Sequence, residues 1–142
     1  MRGKARPLAG VRVVEFAGLA PVSIASLVLA DLGATVIRVD NPASVEKPSN
    51  DLLCRGKQSI AVSPKTPAGQ DALRRLISQS DVLIDPFRPG VMEKLGLGPD
   101  VFLGPKGNNQ RLIYARLVGF DRHGELKDMA GEWHHETITS LQ

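Results

Sequence analysis

The sequence predicts an α/β fold: an open, mostly parallel sheet with flanking helices. Three observations carry this. A valine-rich run, Val11-Arg12-Val13-Val14-Glu15-Phe16, is followed by an apolar helical stretch and then by Thr35-Val36-Ile37-Arg38-Val39-Asp40, a βαβ unit of about 30 residues. Strand and helix patterns then alternate as far as residue 117. The composition, 42% apolar and 23% charged, is that of an ordinary folded domain.

Each element follows in order. Residues 11–16 are short, apolar and stopped by Gly18, which predicts a buried strand. Leu19-Ala20-Pro21 turns the chain, and residues 22–32 form a helix with Gly33 as its stop. That helix is apolar on nearly every side, so it is expected to be deeply buried. Residues 35–40 are the second strand, parallel to the first. Two prolines, Asn50 and mixed charge make 41–53 a surface loop.

Residues 59–62 are a short strand. Thr66 is an N-cap with Pro67 at the first helical position, opening a helix to about Gln79. Leu73, Leu76 and Ile77 form its apolar stripe, flanked by Arg74 and Arg75. A strand at 81–84 leads into the turn Asp85-Pro86-Phe87-Arg88-Pro89-Gly90. Short helices at 91–95 and 100–103, a loop at 104–110 and a strand at 111–117 complete the pattern. In such sheets ligands sit beyond the carboxyl ends of the strands. Residues 16–21, 40–42, 85–90 and 119–131 are therefore expected along one edge.

A length of 142 residues suits one domain with a real core. The net charge is +3, and aromatics are 4%, which argues against a dedicated nucleic-acid binder. Arg2, Lys4 and Arg6 read as a solvated, flexible terminus over 1–7, with a binding arm or targeting signal as the alternative. Cys54 is the sole cysteine, so no intrachain disulfide forms and a reducing compartment is expected. No run of about 18 apolar residues predicts a membrane span. Ser140-Leu141-Gln142 is not a peroxisomal signal.

Familiar chemical motifs are absent. Gly18-Leu19-Ala20-Pro21 lacks the glycine spacing of a dinucleotide fingerprint, and there is no P-loop, paired zinc cysteine set or HExxH. The adjacent His134 and His135 point in different directions, so a solvated tail is preferred over a metal site, and no metal is expected.

Several segments, in order, form a distinctive set. They are Val13-Val14-Glu15-Phe16-Ala17-Gly18-Leu19-Ala20-Pro21, Leu29-Ala30-Asp31-Leu32-Gly33-Ala34, Val36-Ile37-Arg38-Val39-Asp40 and Arg55-Gly56-Lys57-Gln58-Ser59-Ile60. The most specific is Pro86-Phe87-Arg88-Pro89-Gly90-Val91-Met92-Glu93-Lys94-Leu95-Gly96-Leu97-Gly98-Pro99, followed by Arg111-Leu112-Ile113-Tyr114-Ala115-Arg116-Leu117 and Gly119-Phe120. Together these segments resemble the α-methylacyl-CoA racemases of the family III CoA-transferase superfamily; the resemblance covers residues 8–131, the partial α/β domain, and leaves 132–142 as a divergent tail.

The resemblance implies a 2-methyl-branched fatty acyl-CoA thioester as substrate, inverted at its α-carbon. It implies no metal or redox cofactor, CoA being part of the substrate. It also implies an α/β fold whose amino-terminal half is related to the Rossmann type, a homodimer, and the cytoplasm, mitochondrion or peroxisome as compartment. Inversion needs a base on one face of the α-carbon, an acid on the other, and donors where oxygen charge develops. For CoA binding, arginine suits phosphate and adenine alike. Arg88 is the first candidate, followed by Arg55 and Lys57, each against the alternative of a solvated surface charge. The backbone of Ala61, Val62, Ser63 and Pro64 matches a segment that runs along the CoA. Asn41 stands where the family has an arginine contact, which weakens that contact. Asp40 either meets a ribose hydroxyl or caps its loop.

The pattern breaks after Met129-Ala130-Gly131. Gly131 is the last residue of the match and leads into the catalytic motif, but Glu132 stands where the family has its histidine base. Trp133, His134 and His135 follow, and the chain ends at Gln142 before the second catalytic carboxylate. His134 and His135 are weak substitutes, because a misplacement of 1 Å costs about 100-fold in rate. His123 is a surface residue of the preceding loop. The expectation is a racemase-type chain truncated before its catalytic residues and inactive alone. A CoA-transferase of the same superfamily and a non-catalytic or misfolded CoA-binding fragment are the alternatives.

Overall fold

The computed structural model describes residues 6–44, 52–119 and 124–125. Five strands form one parallel sheet in the order β3-β2-β1-β4-β5. They are β1 (Arg12–Phe16), β2 (Thr35–Asp40), β3 (Gln58–Ala61), β4 (Val82–Asp85) and β5 (Ile113–Arg116). The helices are α1 (Ala20–Asp31), α2 (Pro67–Ser78), α3 (Val91–Lys94) and α4 (Pro99–Leu103). Among the described residues, no helix is long and apolar enough to cross a membrane.

The two faces of β1 sort the core. Val13 joins Val22, Ala34, Val36 and Ile84 under α1. Val14 and Phe16 join Leu73, Ile77, Leu83, Met92, Leu97 and Phe102 under α2, α3 and α4. This is the period-two alternation of a strand covered on both faces.

The helix ends follow their local sequence. Thr66 Oγ1 accepts from the Gly69 amide at 3.1 Å, and Pro67 opens α2. At the end of α1, Gly33 has φ +105°, where a Cβ would be strained. The Ala34 amide reaches back to the Leu29 carbonyl at 3.0 Å, and the Gly33 amide to Ala30 at 2.9 Å, which closes the last turn. Helix α1 begins at Ala20, two residues earlier than expected, because Pro21 fits its first turn.

One expectation is overturned. Helix α1 is not deeply buried: Ile24 is 49% and Val28 51% exposed. Its sheet-facing side carries Val22, Ser23 and Ser26. Ile24 and Val28 lie on the exposed outer side, while Val22, Leu29 and Ala30 pack against the core beside the buried Ser23 and Ser26.

Candidate active-site edge

Parallel pairing brings the carboxyl ends of the strands to one edge. Register partners near those ends are Phe16 with Val39, Asp40 with Ala61, and Asp85 with Arg116. The ladder runs one residue further in each case: the Ala17 amide donates to Val39 O at 2.9 Å, Val62 to Asp40 O at 3.1 Å, and Leu117 to Asp85 O at 2.9 Å. Gly18, Asn41, Ala61 to Pro64, Pro86 to Arg88 and Gly119 therefore leave the sheet along the same edge.

Strand order reverses between β1 and β4. In open α/β sheets that reversal opens a crevice for ligands. Here it is filled. The Phe16 and Phe87 rings meet edge to face, with centroids 5.6 Å apart. A Cβ placed on Gly18 would lie 2.6 Å from Pro86 Cβ. The turn after β4 thus lies directly on the turn after β1.

The 85–90 turn is held from below. Asp85 is buried, and its Oδ1 accepts from the Phe87 amide at 2.8 Å. Arg116 Nε lies 3.6 Å from Asp85 Oδ2, and its NH2 donates to Glu93 on α3. The Arg116 guanidinium also stands 5.2 Å from the Tyr114 ring centroid. The Tyr114 hydroxyl donates to Leu97 O at 2.9 Å. Burial, reinforced by the Asp85 charge, pushes that phenol well above its usual range. Arg74 Nε donates to Gly96 O at 3.0 Å. The segment after Arg88 is therefore fixed to α2 and β5, while Arg88 itself is exposed.

Other candidate residues are placed as follows. Asn41 is exposed, and its Oδ1 accepts from the Ala43 amide at 3.1 Å. Ala61 is exposed, and Val62, Ser63 and Pro64 are half-buried. Asp40 accepts from Arg38 Nε at 2.9 Å. Arg55 is exposed and pairs with Asp31 at 2.7 Å. Asp31 ends α1, which runs against the strands, so this pair lies toward the amino edge of the sheet.

Lys57 is neither a surface charge nor a free phosphate contact in this structure. Its side chain is 1% exposed and pairs with Glu15 Oε1 at 3.0 Å, while the Glu15 side chain is also 1% exposed. The ammonium donates further to Ser23 O at 3.0 Å and Ser26 Oγ at 2.7 Å. The Ser26 hydroxyl in turn lies in hydrogen-bond contact with the second Glu15 oxygen. With all its donors used, this ammonium has none left for a phosphate.

Sequence reasoning missed Glu15 and Ser26 as its partners. The available signal was a carboxylate inside a valine strand, since a buried charge needs a counter-charge. Gly131, Glu132, His134, His135 and His123 lie outside the described residues. Among the described residues, no group of three or more His, Cys, Asp or Glu side chains could hold a metal ion.

The chain is 51% identical over 124 residues to human α-methylacyl-CoA racemase, a match covering 87% of this chain and 31% of the racemase. Rv3272 of Mycobacterium tuberculosis, described as a probable fatty acyl-CoA transferase, is 38% identical over 138 residues, covering 84% of this chain and 33% of that protein. Its crystal structure superposes with a TM-score of 0.78 over 89% of this chain and 37% of that one. A CAIB/BAIF family protein from Brucella suis superposes with a TM-score of 0.76 at 31% identity, over 90% of this chain and 37% of that one. The chain thus spans about a third of the length of these relatives. Residues 8–132 match the CoA-transferase family III, and the chain belongs to that family.

Proposed function

We propose that this chain binds the CoA portion of a 2-methyl-branched fatty acyl-CoA along the carboxyl edge of its sheet and does not racemise it unaided. The likeness to human α-methylacyl-CoA racemase over most of the chain carries the substrate class. The edge supplies the binding elements: the exposed Arg88 on its braced turn, and the backbone of Ala61, Val62, Ser63 and Pro64 beyond β3. Arg88 offers a planar fork of donors suited to a phosphate.

Inversion would remove the α-proton to a base on one face and return a proton from an acid on the other. Glu132 stands where the family has its histidine, and one carboxylate cannot serve both faces. Two measurements test the reading. Coenzyme A should raise the melting midpoint of the purified chain, because a ligand that binds only the folded state stabilises it. No shift at saturating CoA overturns CoA binding. In deuterium oxide, the chain should leave the α-proton of a 2-methylacyl-CoA unexchanged, and wash-in of deuterium overturns the view that it is inert alone.

A second reading, transfer of CoA between carboxylic acids, is supported by the likeness to Rv3272. There the thioester donor releases its acid as the acceptor carboxylate takes the CoA. Appearance of the acceptor's thioester on mixing a fatty acyl-CoA, a free carboxylic acid and this chain favours that reading over the first.

A further inference from the structure

We propose that Lys57 is a positioning residue for the CoA site: its buried ammonium latches the amino end of β3 to β1 and α1, and so fixes where residues 61–64 stand. The proposal rests on the CoA-binding reading above.

Strand β3 is weakly held by its own side chains. Among the described residues it is an edge strand paired on one side only, to β2, and all of its residues are exposed. Its first packed side chain, Val62, comes only after the strand ends. At the other end, Lys57 immediately precedes Gln58, and its side chain runs into the interior. The exposed Arg55–Asp31 pair on the preceding turn adds little, since solvent screens such pairs.

The latch has direction as well as strength. Three acceptors on two elements meet the ammonium: Glu15 on β1, and the Ser23 carbonyl and Ser26 hydroxyl on α1. They fix both the depth and the rotation of the chain at residue 57. An apolar side chain would fill the space without specifying either. The pair is not a Ser–Lys nucleophile, because Ser26 is fully buried and Lys57 is paired with a carboxylate.

Burial separates folding from positioning. Removing one partner of a buried pair strands a charge and destabilises the fold, whereas replacing the whole set by apolar groups of similar volume is often neutral or stabilising. The test uses the full chain as wild type, as Lys57→Met, and as the combined Glu15→Met, Ser26→Ala, Lys57→Met variant. Three quantities are read: the melting midpoint, amide hydrogen exchange by residue, and the calorimetric Kd for coenzyme A.

Lys57→Met should lower the midpoint, and the combined variant should recover it. In the combined variant the Ile60 and Val62 amides should still exchange about tenfold faster than in wild type, while those of Leu73 and Ile77 keep their protection. Coenzyme A should bind about tenfold more weakly to it, a change of about 1.4 kcal/mol. Recovery of midpoint, protection and affinity together overturns the proposal and leaves Lys57 a space-filling residue.

Lys57→Arg guards against a combined variant that fails to fold. It keeps the charge, but its planar fork cannot place three donors on the same acceptors. It should speed exchange at Ile60 and Val62, and unchanged protection there overturns the latch. If wild type does not bind coenzyme A, the CoA reading falls, while the exchange comparison still decides the latch.

Discussion

Gly18 and Pro86 are in backbone-to-ring contact: a Cβ on Gly18 would stand 2.6 Å from Pro86 Cβ and 2.9 Å from its Cγ. The proline ring cannot swing aside. Gly18→Ala should therefore push the 85–90 turn off the β1–α1 turn and cost about 1–3 kcal/mol, the usual range for overpacking. Urea titration checks the stability loss. Because Arg88 rides on the displaced turn, the CoA-induced rise in melting midpoint should shrink as well.

Arg88→Ala should leave stability within about 0.5 kcal/mol of wild type, since the side chain is exposed and its substitution opens no cavity. It should weaken coenzyme A binding by about 1.5–3 kcal/mol, the range for a charge-assisted hydrogen bond. Calorimetry on wild type and variant checks both the direction and the contrast with Gly18→Ala, which alters both quantities.

The Tyr114 phenol gives an alkaline limb to stability. Its folded pKa is raised above the unfolded value by burial and by Asp85, so the folded state holds the proton more tightly. The corresponding stability is fully present below the ordinary phenol value of about 10 and declines as pH rises beyond it. Tyr114→Phe should flatten that limb in a denaturation series across alkaline pH. At neutral pH it should cost about 0.5–1.5 kcal/mol, because the bond to Leu97 O is lost.

Thr66→Ala should cost about 1 kcal/mol through loss of the cap on α2. The urea midpoint should fall while the slope of the transition stays unchanged, because the folded surface is the same.

Helix α2 was legible because its signals are local: Thr66, Pro67 and a stripe spaced at three and four residues. The edge assembly was legible too, since an alternating pattern of strands and helices carries it. Strand β4 ends one residue later than the sequence suggests. Asp85 reads as a turn residue because its carboxylate caps the Phe87 amide, yet its backbone still belongs to the ladder. The burial of α1 was misread for a different reason: apolar composition states what a helix needs, not what is packed against it. The Lys57–Glu15 pair joins residues 42 apart, and no local pattern links them. Gly131 and Glu132 lie outside the described residues.

The strand order has a consequence for synthesis. Strand β1 is central, but its two neighbours arrive at very different times: β2 follows after one helix, whereas β4 begins only at Val82. At ~5–20 residues per second, one side of β1 waits several seconds after β2 is made before its partner leaves the ribosome. During that interval Val13 and Val14 sit on an open edge, able to pair with another nascent chain. Crowded expression should therefore penalise this chain more than its final stability would suggest, and slower initiation should raise the soluble yield.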